Sequence, residues 1–345
     1  MLLGAYGRNI MAVLAAGVEA DSFGFAVGSA YVTSLSSVYR DPLYSNSAIG
    51  ANVGGPIYRF DFGTGPATFW FHACFYMDGT LSTTATGEVL RFDSGTGPEL
   101  RLVGTGANGV PATAVEVQWE KTTNGTTWTA VGSAFNLVAA AFYTIDLSVT
   151  LGVSGSLKCW LSAAPVVDFT GDVSTQTNTA TFARLGAHTT GVVTYWTQVI
   201  LADEPTIGMR LQTLAPNSGG TYLDWLGAYT TIDEADYSES DSMSTNVSGR
   251  RTSWNIANTS ASLLNNNVIK ALCQSMRGLN QIGSNPPDIN FFLRTNSTDY
   301  NSGGLGWTTD GVRRSSHRVL TTSPNTGVAW TAANIDAVQL GVRAA

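Results

Sequence analysis

The chain has 345 residues, 43% of them hydrophobic and only 12% charged, and carries a formal net charge of −7. That length suits two domains of ordinary size, and the apolar share excludes a disordered chain. Basic residues form no run beyond the isolated pairs Arg250-Arg251 and Arg313-Arg314, so nucleic acid has no electrostatic handhold, and no apolar run reaches the length of a membrane-spanning helix.

Residues 1–65 are rich in Gly and Ser, with a short helix expected over Arg8 to Ala16 and strands around Phe23–Val27 and Ile57–Phe62. The apolar stretch after Arg8 is short for a secretory signal, so synthesis in the cytoplasm is expected. From Ala67 a period-2 pattern sets in: Phe69, Phe71, Ala73, Phe75 and Met77 alternate with Trp70, His72, Cys74, Tyr76 and Asp78. Further strands are expected at Glu88–Asp93, Glu99–Val103, Ala114–Glu120, Thr127–Val131, Phe142–Val149, Ser156–Leu161, Val166–Phe169 and Thr181–Leu185. Asn124-Gly125, between VEVQWEKTT and TTWTAV, marks a hairpin turn. Many short strands with no helices between them point to an antiparallel sandwich or jelly roll.

The stretch Val193 to Leu211 closes this unit. Val193, Tyr195, Thr197, Val199 and Leu201 fall on one face of a strand and Thr194, Trp196, Gln198 and Ile200 on the other. Both faces are largely apolar, so the strand is expected at the centre of a sheet, and Pro205 ends its ladder. Beyond it, strands are expected at Thr252–Ile256, Val268–Met276, Ile289–Thr295, His317–Thr321 and Ala337–Val342. Loops are expected at 285–288 and 301–306, and one helical turn over 331–336.

The succession WFHACFYMDGTL, LRFDSGTGPELRL, VEVQWEKTTNGTTWTAVG, FYTIDLSV and LKCWLSAAPVVDFTGD is similar to laminin-G-like and concanavalin-A-like jelly rolls. WTQVILADEPTIGMRLQTLAPNSGGTYLDWLGAY and SPNTGVAWTAANIDAVQLGV resemble structural proteins of tailed bacteriophages that carry such a domain. The resemblance implies a virion component made in the host cytoplasm, without enzymatic activity. Its partners would be other virion proteins, further copies of itself and a host surface glycan. It leaves tail, fibre and capsid decoration open.

The residues give chemistry less footing than architecture. Jelly-roll glucanases place carboxylates at alternate positions of one strand, whereas Glu88, Asp93 and Glu99 are split by turns and Glu116 and Glu120 flank Trp119. Adjacent Asp203 and Glu204 suit a turn. His72, His188 and His317 show no metal spacing, and no nucleophile elbow or phosphate loop is present. Cys74, Cys159 and Cys273 lie far apart in strand-like contexts and read as small buried hydrophobes with reduced thiols.

The remaining candidates are Trp225, Tyr229 and Trp307 as aromatic carbohydrate contacts, and Asp233, Asp236 and Asp241 as oxygen ligands for calcium. No other cofactor is expected. The sequence therefore reads as an all-β protein, with a jelly-roll sandwich at 1–205 and a smaller β-sandwich at 206–345. Its expected role is structural, on a tailed-phage particle, with glycan adhesion as a further task. The alternatives are a glycoside hydrolase of the same fold and a free-standing lectin.

Overall fold

In the computed structural model the described residues are 13–17, 26–27, 34–36, 48–51, 57–61, 65–78, 87–104, 114–186, 193–232, 242–259, 268–279, 288–305 and 313–345. Among them the chain is almost entirely β. The strands of the first unit, in order, are β1 (Val13–Gly17), β2 (Ala26–Val27), β3 (Ser34–Ser36), β4 (Ala48–Ala51), β5 (Ile57–Asp61), β6 (Thr68–Asp78), β7 (Glu88–Asp93) and β8 (Pro98–Gly104). There follow β9 (Ala114–Thr122), β10 (Trp128–Val138), β11 (Ala141–Thr150), β12 (Gly152–Leu161), β13 (Ala164–Val173), β14 (Phe182–Leu185) and β15 (Val193–Ala202).

They form two antiparallel sheets. The larger runs β13-β12-β11-β6-β15-β4-β3, with β1 also on β15, and the second runs β10-β9-β8-β7-β14-β5-β2. Alternation drives the packing: Phe69, Phe71, Phe75 and Met77 of β6 meet Leu90 and Phe92 of β7 and Leu100 and Leu102 of β8 in one buried cluster. Phe92 takes Phe71 edge-on at 5.1 Å and Phe69 at 5.3 Å, and Phe75 stacks on Trp196 at 4.8 Å. Each such ring pair adds about 1 kcal/mol beyond the area it buries.

The hairpin marked by Asn124-Gly125 joins β9 to β10. Gly125 supplies a positive φ of 77°, and the Asn124 side-chain oxygen accepts from the backbone N–H groups of Thr126 and Thr127. β15 is central, paired with β6 on one side and with β4 and then β1 on the other. Its faces differ from simple alternation, because Gln198 sits at a bulge with φ 54°. The extra residue switches parity, so Trp196, Val199 and Leu201 all enter the core while Ile200 faces outward.

The second unit holds β16 (Pro216–Leu223), β17 (Arg251–Ile256), β18 (Leu272–Leu279), β19 (Ile289–Thr295), β20 (Thr298–Gly304), β21 (Arg313–Leu320), the one-turn α1 (Ala332–Asp336) and β22 (Gln339–Ala344). Five strands make a sheet ordered β16-β17-β22-β19-β20, and β18 pairs with β21. Leu272 and Leu320 of that hairpin pack with Ile256, Leu293 and Trp330, while Cys273 and Val319 pack on Ile200 of the first unit. The hairpin thus lies between the small sheet and the outer face of the large one.

Three expectations are corrected. Val13–Gly17 is a strand, not the end of a helix, because its apolar residues pair along β15. Thr298–Gly304 reaches into the segment read as a loop, and Pro216–Leu223 is a strand that periodicity did not mark. Both are polar edge strands with no apolar face to reveal them.

Candidate functional site

The outer face of the second sheet gathers a group of charged side chains into one ladder. On β7, Leu90 and Phe92 point inward, which turns Arg91 and Asp93 outward, and the register shift between Glu88 and Leu90 brings Glu88 to the same side; alternation likewise turns Arg101 of β8, Glu120 of β9 and Arg184 of β14 outward. Register places arginine opposite arginine: Arg101 faces Arg91, Arg91 faces Arg184, and Arg184 faces Arg59 of β5. Like charges directly opposite one another destabilise a sheet. Arg101, Arg91 and Arg184 in a row, about 4.8 Å apart by strand spacing, break a local rule that folding alone would keep, and such breaks gather at functional sites.

Carboxylates between the arginines hold the arrangement. Arg91 grips Asp93 with a fork, Nε to Oδ1 at 2.7 Å and Nη2 to Oδ2 at 3.1 Å, and reaches Glu88 through Nη1 at 2.8 Å. Arg101 donates to Glu120 at 2.7 and 2.9 Å and to the other Glu88 oxygen at 3.1 Å. Arg184 donates to Asp93. Two rings lie among these groups: the Arg101 guanidinium sits 4.0 Å over Trp128, and Arg184 is 5.4 Å from Phe182. The three arginine side chains keep 15–21% of their exposure, so the forks lie flat yet within reach of a ligand. Burial would lower the Arg91 pKa, but Asp93 and Glu88 outweigh it and the guanidinium is held above its ordinary value.

Carboxylates that the sequence separates by turns therefore do come together. Glu88 and Glu120, from different strands, share Arg101. Glu99 plays another part, buried and accepting from Ser94 and Thr177 to pin the loop before β14.

A second polar group lies on the outer face of the larger sheet. His72 Nδ1 is 2.9 Å from Asp146 Oδ1, His72 Nε2 is 3.8 Å from Cys74 Sγ, and Thr206 donates to Asp146 at 2.8 Å. The order thiol, imidazole, carboxylate is that of a nucleophile and its base. All four residues are buried, however, and Thr206 closes over them. The group fastens the linker to the sheet.

The remaining sequence candidates do not gather with either group. Trp225 and Tyr229 pack against Trp254, Phe291 and Val342 of the second unit, and the Trp225 indole N–H donates to the Arg250 carbonyl at 3.3 Å. Trp307, Asp233, Asp236 and Asp241 lie outside the described residues, as do His188 and the His317 side chain. Among the described residues no cluster of His, Cys, Asp and Glu is suited to a metal ion, and no helix is long and apolar enough to cross a membrane. The ladder escaped sequence reasoning because it depends on the pairing of β7 with β14, some ninety positions apart; its one local trace is the outward arginine in LRF and again in LRL.

No protein-family model and no curated protein sequence matches the chain. Solved structures of similar fold include an endo-β-1,4-glucuronan lyase from the fungus Trichoderma reesei, with 13% identity, a TM-score of 0.42, and cover of 56% of this chain and 96% of that one. The alginate lyase Aly36B gives 12% identity, a TM-score of 0.39, and cover of 59% and 98%. Domain 4 of AbnA, a family 43 extracellular arabinanase from Geobacillus stearothermophilus bound to arabinotriose, gives 9%, 0.41, and cover of 56% and 94%. None carries a substrate or a residue role over to this chain. With polysaccharide lyases among these neighbours, the expectation of a protein without enzymatic activity is withdrawn.

Proposed function

We propose that the chain engages polysaccharide through the outer face of its second sheet. The observation that supports this reading is the cross-strand file of arginines, interleaved with carboxylates and flanked by Trp128. Sugars present vicinal hydroxyls that both donate and accept. Planar guanidinium forks serve the accepting oxygens, Glu88 and Glu120 serve the donating ones, and an indole face takes the apolar side of a pyranose ring. A linear polysaccharide laid across the strands would meet a new guanidinium at each strand spacing, and sugar units repeat on a comparable length.

Affinity electrophoresis of the whole chain tests the reading, through gels holding alginate, pectate, xylan or dextran. Retardation in at least one gel, relieved in Arg101→Ala, is expected; equal mobility of both proteins in every gel overturns it. Assay of the same mixtures for new reducing ends, or for absorbance of unsaturated products, reports whether binding leads to cleavage.

A second reading, assembly into a tailed-phage particle, rests on the phrases around residues 196–229 and on exposed apolar side chains. Val153, Leu223, Leu226, Val268 and Val328 are each at least 60% exposed, which suits contact surfaces on an oligomer. Light scattering of the purified chain and peptide mapping of purified particles test it: a monomer absent from particles would refute it.

A further inference from the structure

The ladder of the first unit carries no surplus of positive charge. Among the described side chains, the guanidiniums of Arg91, Arg101 and Arg184 are matched by the carboxylates of Glu88, Asp93 and Glu120, and each guanidinium is paired with at least one of them. Inward Val115, Val117 and Trp119 turn Glu116 of β9 to the same outer face, which adds a further carboxylate. The chain as a whole stands at −7. A polyanion therefore meets neither a positive patch nor a favourable long-range field on this face.

The carboxylates lie at different depths. Asp93 is covered and cancels the charge of Arg91 and Arg184 from beneath, while the Glu88 and Glu120 side chains keep 14% and 23% of their exposure and flank Arg101 at the surface. Arg101 gives one hydrogen of Nη1 to Glu88 and one of Nη2 to Glu120, and each of these nitrogens carries a second. Those hydrogens, with the spare lone pairs of the two glutamates, suit a hydroxyl, which donates and accepts without charge. A uronate carboxylate that reaches Arg101 must lie against Glu88 or Glu120 or displace it, and like charges that close repel.

Resting on the polysaccharide reading above, we propose that the ladder selects an uncharged polysaccharide, and that Glu88 and Glu120 are the residues that turn polyuronates away. The hydroxyls of a neutral chain join the network as extra donors and acceptors and leave every ion pair in place. A charged chain gains no unpaired guanidinium and faces the two surface glutamates at each approach to Arg101.

Affinity electrophoresis of the intact chain tests it, against a polymer-free gel, with polymers that share a backbone and differ in charge: methyl-esterified pectin and pectate, hydroxyethylcellulose and carboxymethylcellulose, dextran and carboxymethyl-dextran. The uncharged member of a pair is expected to retard the native chain more than its charged partner. Glu120→Gln should raise affinity for the charged member about fivefold, the effect of one partly exposed charge, and Glu88→Gln serves in its place should that variant not fold in a circular dichroism melt. Asp168→Asn removes the same charge from an exposed pair with Lys158 on the other sheet and should change neither affinity. A charged member that binds as well as its neutral partner, a folded glutamine variant that binds it no better than the native chain, or an equal gain in Asp168→Asn overturns the selectivity, and the ladder reading survives as long as Arg101→Ala relieves the retardation. No retardation in any gel, or retardation that Arg101→Ala leaves intact, overturns the polysaccharide reading and the selectivity with it.

Discussion

Arg91 and Arg184 stand directly opposite each other on β7 and β14, and the Asp93 carboxylate between them bonds to both. Asp93 is 1% exposed, so its loss leaves two like charges facing each other with little water to screen them. Asp93→Ala is expected to cost about 3 kcal/mol, as when one partner of a buried ion pair is removed. Glu120→Ala, at the more exposed end of the ladder, should cost about 1 kcal/mol or less. Urea unfolding of the two variants checks the contrast.

Thr206 donates to Asp146, which also holds His72, and this contact joins the Leu211 N–H bond to Gln198 in tying the linker to the sheet beneath it. Thr206→Val keeps the shape and removes the hydroxyl, at an expected cost of about 1–2 kcal/mol. Hydrogen exchange should quicken in residues 203–211, and Cys74, shielded in the native chain, should become reactive toward a thiol reagent. Unchanged exchange in that segment would show that the linker is held by its apolar contacts instead.

The bulge at Gln198 sets which side chains of β15 reach the core. Removing that residue restores strict alternation and sends either Trp196 or the pair Val199 and Leu201 to the wrong face. A Gln198 deletion is expected to abolish cooperative unfolding, whereas Gln198→Gly, which tolerates the positive φ, should stay folded. Calorimetric melts of the two proteins distinguish them.

Stability should respond to pH at both ends. Burial pushes the Cys159 thiol from 9.0 up to about 12, so its contribution is whole below pH 9.0 and is lost as pH rises toward 12. Cys159→Ala should flatten the decline in melting temperature above pH 9.0. Asp172 has the opposite sign: hydrogen bonds from Lys121 and Ser174 hold its carboxyl well below 3.8, and its contribution fades as pH falls below that value. Asp172→Asn should flatten the acid decline in the same way.

Strands with one buried face were legible from their residues, because alternation in FWFHACFYM or VEVQWEK is the pattern that the core selects. Glu88–Asp93 and Ile289–Thr295 have the bounds read from the sequence. Edge strands such as TDYNSGG were not, since both faces are polar and only pairing with β19 defines them. The Ala-rich stretch ending at Gly17 suits helix by propensity, and its neighbour β15 overrides that preference. The candidate site was illegible for a related reason. Each arginine of the ladder looks like an ordinary outward residue of its own strand, and only cross-strand register shows that they face one another.

Isothermal titration of the whole chain against the polysaccharide that retards it most, for the native protein and for Arg101→Ala, tests the ladder most directly. Arg101 lies over Trp128 and joins Glu88 to Glu120, so its truncation should weaken binding about tenfold, or ~1.4 kcal/mol, with the melting temperature little changed. Equal affinity in the two proteins, with both folded, would place the glycan elsewhere and contradict the account.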